Sequence, residues 1–128
     1  PPTTTRRQRQ MCIRDRPNGG IIMSYHGDNA VDVWCRWHTN GGASIDDSYQ
    51  VSSVSDNSTG YSYVNFSTSF QNSQYSVVST GQEDSGGGGR LANPRSPESS
   101  RCQFETRNTG NSTRDFIDIH MMACGDHY

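Results

Sequence analysis

The sequence predicts an all-β protein, a small antiparallel β-sandwich-like domain. Three observations predict it. Runs of Val, Ile, Tyr, Phe and Trp alternate with Ser, Thr, Asn and Asp along much of the 128 residues, the period of two that half-buried strands show. Clusters of Gly, Asn, Asp and Ser separate these runs, as chain reversals require. Residues 48–66, SYQVSSVSDNSTGYSYVNF, then combine both features in a hairpin: strand-forming runs at 49–54 and 61–66 flank the turn-former cluster 56–60.

The elements follow in order. Residues 17–30 are a turn-rich lead-in with one apolar triplet, Ile21-Ile22-Met23. Residues 31–37 (VDVWCRW) alternate as a strand, with Val31, Val33, Cys35 and Trp37 on one face and Asp32, Trp34 and Arg36 on the other. HTNGGA (38–43) is a turn, and Ser44-Ile45-Asp46 a short strand before the hairpin. Residues 70–79, with Tyr75, Val77 and Val78, give a further strand. Residues 81–100 carry four consecutive glycines and two prolines and read as a long loop without regular structure. RCQFETR (101–107) alternates again, with Cys102, Phe104 and Thr106 on one side. NTGNSTR (108–114) is a turn, and residues 115–124 are the closing strand.

The wording of residues 47–66, DSYQVSSVSDNSTGYSYVNF, resembles a module at the C-terminal end of bacteriophage tail-fibre proteins. In that module a W-V-N-F-like strand precedes a "VSSI-TDNGTG-YTVNF" hairpin, and the chain ends near Gly-Asp. The resemblance runs over residues 31–126: Trp34 falls on the module's Trp, Trp37 on its Phe, and Gly125-Asp126 on its ending. Cys35 and Arg36 depart from the usual Val and Asn, and Ser62 stands in a Tyr slot, which a bulge or a repacked partner would accommodate.

The beginning of the chain has another likeness. Arg6 to Arg16, RRQRQMCIRDR, back-translates to a string resembling the read-one adapter of transposon-based sequencing libraries, ending in the mosaic end. Residues 1–16 are therefore read as a non-native leader, and residues 17–30 as a lead-in from a truncated upstream region. A basic nucleic-acid arm or a transit peptide is the other reading of an Arg-rich, acid-poor stretch, but the adapter accounts for every residue.

Excluding that leader changes the charge. The whole chain has eleven Arg, no Lys and thirteen acids. From Pro17 onward six Arg face twelve acids, near −6. An acidic domain argues against nucleic-acid binding, which needs a basic face. Cys35, Cys102 and Cys124 remain, with no C-x-x-C pair, and read as buried free thiols rather than a disulfide framework. No apolar run reaches the roughly 18 to 20 residues of a membrane helix. Large aliphatic residues are scarce, with Leu91 the single leucine, so oligomerisation is an expected route to a complete core.

No catalytic centre, cofactor or metal site is expected. Cys35-x-x-His38 and Cys124-x-x-His127 have finger-type spacing, yet positions three apart on a strand face opposite ways. Gly86 to Gly89 lack the G-K-[ST] ending of a phosphate loop. No G-x-S-x-G elbow is present, and the pairs Asp46-Asp47 and Glu83-Asp84 are read as solvated turn residues. The likeness to the fibre module implies a virion structural protein, the distal part of a tail fibre. It implies a homotrimer contacting other tail proteins, extracellular when free, that binds a host surface glycan or envelope component without covalent chemistry. Recognition residues usually lie in loops. The first candidates are Arg90, Asn93 and Arg95 in 81–100, then Asn108, Asn111 and Arg114 in 108–114, then the 38–42 turn. Trp34, Tyr61 and Tyr63 are the candidates for a subunit interface. A secreted β-sandwich carbohydrate-binding or adhesin module and a purely structural trimerisation tip are the alternatives.

Overall fold

A computed structural model describes residues 31–83 and 91–126. The leader 1–16, the lead-in 17–30, Arg90 and His127 lie outside the described residues. Eight antiparallel strands form two four-stranded sheets: β1 (Val33–His38), β2 (Ser44–Tyr49), β3 (Val51–Ser58), β4 (Tyr61–Phe66), β5 (Ser76–Glu83), β6 (Leu91–Glu98), β7 (Arg101–Arg107) and β8 (Phe116–Cys124). The first sheet has the order β2-β1-β8-β5 and the second β3-β4-β7-β6. The fold is all-β and sandwich-like, as the alternation predicts.

The core is built from the inward alternate residues of both sheets. Val33, Cys35, Trp37, Ile119, Met121 and Ala123 come from the first, and Val64, Phe66, Cys102 and Phe104 from the second. Trp37 meets Phe104 edge-on across the gap, with centroids 5.1 Å apart. At one end Phe66, Phe70 and Tyr75 pack as a cluster, Phe70 stacked on Tyr75 at 4.3 Å. Ser62, which departs from the module's Tyr, is buried opposite Phe104 and accepts a hydrogen bond from Trp37 Nε1 at 3.2 Å. A large ring at that position would meet the Trp37–Phe104 pair, and opposite Ser62 and Tyr61 the β3 register shifts between Asp56 and Ser58. The Gly125-Asp126 ending also has a packing role. A Cβ on Gly125 would stand 2.5 Å from Tyr75 Cβ, and the Asp126 carbonyl accepts from Gln71 N at 2.7 Å.

Several boundaries differ from expectation. The 31–37 strand begins at Val33 and runs to His38. Residues 44–46 belong to a six-residue strand that takes in Asp46, Asp47 and Tyr49, so the two aspartates stand on a strand and not in a turn. Tyr49 pairs with Trp34 in the first sheet, not with the hairpin. Gln50, at φ 59°, breaks the run and sends the chain across to the second sheet. The hairpin turn narrows to Thr59-Gly60, with Gly60 at φ 77°, and Asp56 and Asn57 join β3. The 70–79 strand starts only at Ser76 and continues to Glu83.

The largest correction concerns residues 81–100. Most of them are strand: the end of β5 and all of β6. Pro94 and Pro97 fit because β6 is an edge strand and its register with β7 shifts between them, so neither missing N–H breaks a central ladder. Only residues 84–90, outside the described residues, separate the two strands.

Candidate functional site

The two outer faces carry different chemistry. On the second sheet, β4 and β7 place Tyr61 opposite Glu105, and β6 adds Asn93 opposite the same residue. Glu105 is buried at 5 % exposure because long partners close over it. Arg95 Nη1 donates to its Oε2 at 2.9 Å, and Arg107 Nε and Tyr61 Oη donate to Oε1 at 2.6 and 2.8 Å. Burial by itself would raise the Glu105 pKa. The bonds from Arg107 and Tyr61 and the charges of Arg107 and Arg95 outweigh it and hold the carboxyl below its ordinary 4.5.

Arg107 also reaches the adjoining turn, where Nη1 donates to the Asn111 carbonyl at 2.8 Å and to its Oδ1 at 3.2 Å. Asn108 shapes that turn: its Oδ1 accepts from Ser112 N at 3.0 Å, and Asn111 takes φ 61°. Arg114 is anchored by its backbone, N to the Thr106 carbonyl at 3.1 Å, and its side chain is exposed. At the other end of β7, Arg101 pairs with Glu98 at 3.0 Å and lies over the Tyr63 ring, 4.4 Å from its centroid. Four of the five arginines among the described residues thus stand on this sheet or its turn, against Glu98 and Glu105.

The outer face of the first sheet is organised in rows across the strands. Tyr49, Trp34, Met122 and Val78 are consecutive cross-strand partners, and beside them run Asp47, Arg36, His120 and Thr80. Arg36 grips Asp118 with two bonds of 2.9 Å, and His120 Nε2 lies 3.0 Å from the same carboxylate. The Arg36 bonds depress the Asp118 pKa below its ordinary 3.8. His38 Nδ1 stands 3.1 Å from Asp46.

Asn93, Arg95, Asn108, Asn111 and Arg114 are therefore brought to one sheet and its turn, although Asn93 and Arg95 stand on a strand rather than in a loop. Arg95 has a partner in Glu105. In the 38–42 turn, Thr39 is buried and its Oγ1 accepts from Phe116 N at 3.0 Å, while Gly41 and Gly42 are exposed at positive φ. Trp34 and the pair Tyr61/Tyr63 lie on opposite outer faces, so they do not form one patch; the two tyrosines belong to the arginine network. Missed in the sequence were Arg101, Glu105 and Arg107, and the partners of Trp34 in its row. Local spacing carries no trace of cross-strand register, which is what assembles both sets.

Cys35 faces the core, where burial, with smaller contributions from Asp46 and Asp47, pushes its thiol up to about 12. Burial likewise pushes Cys102 to about 11. Both thiols are protonated at neutral pH and inert as ligands or nucleophiles. Searches of protein-family models, curated proteins and solved structures found no match to this chain.

Proposed function

We propose that the chain is the distal module of a phage tail fibre, a trimeric virion protein that holds a bacterial surface glycan non-covalently on the outer face of its second sheet. The observation that carries the binding site is the gathering of Arg95, Arg101 and Arg107 around Glu105, Tyr61 and Tyr63, with the exposed Arg114 in the adjoining turn, in a chain whose net charge is −2. Arginine forks suit phosphate, carboxylate and vicinal hydroxyl groups, and tyrosine edges add apolar contact to sugar rings. The buried Glu105 fixes two of those guanidiniums in place, so little side-chain freedom remains to be lost on binding. The tail-fibre assignment rests on the likeness of residues 47–66, whose pattern spans β2, β3 and β4. The role is recognition without catalysis.

Immobilised bacterial surface polysaccharides, phosphorylated and neutral, test it by interferometry with the full chain. Arg114→Ala and Arg95→Ala each remove one charged donor and are expected to weaken binding about 10-fold or more, as charge-assisted bonds of roughly 1.5–3 kcal/mol imply. Equal binding by both variants and the parent protein, or binding to no polysaccharide, refutes the assignment. A second reading, a lone secreted carbohydrate-binding module, is favoured by the exposed Tyr49 beside Trp34, an aromatic platform on the other sheet.

A further inference from the structure

We infer that the outer face of the first sheet is the surface through which copies of this chain close into a ring, resting on the trimeric reading above for the number three. In that ring the Tyr49 side of the face in one copy seats on the Val78 side of the next. The row Tyr49-Trp34-Met122-Val78 is the apolar feature of the surface. Tyr49 is 41 %, Met122 49 % and Val78 58 % exposed; Tyr49 and Val78 stand on the edge strands β2 and β5, and Trp34 and Met122 join them across β1 and β8. A contiguous apolar stripe across four strands marks a contact surface. The second sheet has no such row: Arg101 lies over the Tyr63 ring, the Tyr61 hydroxyl is tied to Glu105, and Leu91 is its one exposed large aliphatic residue among the described residues.

The face is also asymmetric from side to side. Its β2–β1 half carries the two large rings. Its β8–β5 half carries a shallow depression of about 230 Å³, lined by Val78, Ser79, Thr80, His120, Met121 and Met122. Projections on one half and a hollow on the other are what a head-to-tail contact requires, and such contacts close into rings when the rotation permits. The charges agree. Asp47 shares a row with His120 and Thr80, so a head-to-tail contact at that level sets it against Thr80 and His120 of the neighbour, while Asp46 is held by His38 of its own copy. Arg36 and Asp118 neutralise each other within each copy.

Sheet width fits three copies. Four strands about 4.8 Å apart make a face roughly 19 Å wide, and three such faces joined in a triangle leave about 5.5 Å from each sheet to the axis. That is close to half the roughly 10 Å between packed sheets, so Trp34 and Met122 on the two central strands fill the axis. In the closed ring each copy uses both halves of the face, whereas an open pair leaves one half of each copy exposed, so closure doubles the contact per copy. The second sheet then points away from the axis on all three sides, so three arginine faces act together and gain avidity.

Light scattering after size exclusion on the full chain, over a range of micromolar concentrations, tests this with Val78→Glu and Met122→Arg. Both side chains already point to solvent, and an unchanged far-UV spectrum verifies the fold. The expected result is three copies of the 14.2 kDa chain for the parent protein and one for each variant, with Gln103→Glu on the opposite sheet still trimeric. If the parent and both variants are trimers, the face is wrong and the trimeric reading stands. A parent that is a monomer or dimer overturns both. Loss of the trimer in Gln103→Glu overturns the choice of face.

Discussion

Replacing Ser62 with Ala isolates the contact that ties the two sheets at the centre of the core. Trp37 is fully buried and Ser62 is 1 % exposed, so the indole N–H has no route to water. Its acceptor is Ser62 Oγ at 3.2 Å, at the long end of the normal range. Removing that oxygen orphans a buried donor, which costs about 1–3 kcal/mol, and the long bond argues for the lower half of that range. A domain of this size unfolds in urea with a slope near 1 kcal/mol/M, so the midpoint should fall by about 1–2 M at unchanged slope. Heating should show a loss of roughly 5–15 °C. Both measurements need one fixed protein concentration, since assembly would add to apparent stability. Trp37→Phe removes the donor and keeps an aromatic ring, so Ser62→Ala should cost little in that background. The double-mutant cycle therefore carries the decision. A coupling of about 1 kcal/mol is expected, and a value under about 0.5 kcal/mol refutes the claim that this bond sets the residue at position 62.

The buried and half-buried ionisable groups and the aromatic cluster lead to two further outcomes. Stability should decline at both ends of the pH scale. Glu105 and Asp118 are held below 4.5 and 3.8, so their contribution is complete above those values and disappears as pH falls through the lower folded pKa values. Cys35 and Cys102 are raised from 9.0 to about 12 and about 11, so stability falls as pH climbs from 9 toward them. Urea midpoints across pH should show this plateau between two declines, and Glu105→Gln should flatten part of the acid limb; an unchanged limb contradicts the network. Gly125→Ala should destabilise by about 1–3 kcal/mol through overpacking, because the new Cβ meets Tyr75 at 2.5 Å and Phe70 at 3.1 Å. A thermal midpoint equal to that of the parent would mean that the aromatic cluster yields freely.

The faces of the strands were legible wherever alternation was unbroken. Val33, Cys35 and Trp37 turn inward together, as do Cys102, Phe104 and Thr106, and Tyr61 and Tyr63 face away from Val64. What failed depended on position in the sheet. Pro94 and Pro97 exclude a central strand, but local sequence does not say that β6 is an edge. Gln50 adopts a positive φ that its residue type does not announce, so one apparent strand is two strands in different sheets. Glu105 follows the alternation outward, and its burial comes from Tyr61, 44 residues away, and from two arginines on either side of it in sequence. The side-chain clusters on both outer faces were hidden for the same reason. Their members are neighbours across strands and strangers along the chain.

The treatment of the sheet edges bears on how copies of this chain can meet. An unprotected edge invites another strand to add by backbone hydrogen bonds. Here β2 carries Asp46 and Asp47, β3 carries Asp56 and a register shift near each end, and β6 carries two prolines. The remaining edge, β5, is closed toward β6 by Ser79 Oγ donating to the Ala92 carbonyl. Each edge thus has a charge, an irregularity or a covering partner that opposes strand addition. Self-association is left to side-chain faces: both carry ion pairs, and the first sheet adds the apolar row Tyr49-Trp34-Met122-Val78 beside its Arg36–Asp118 pair. If the chain assembles and binds as proposed, assembly and recognition would lie on opposite sides of one small sandwich, and a ring would leave the arginines of the second sheet accessible.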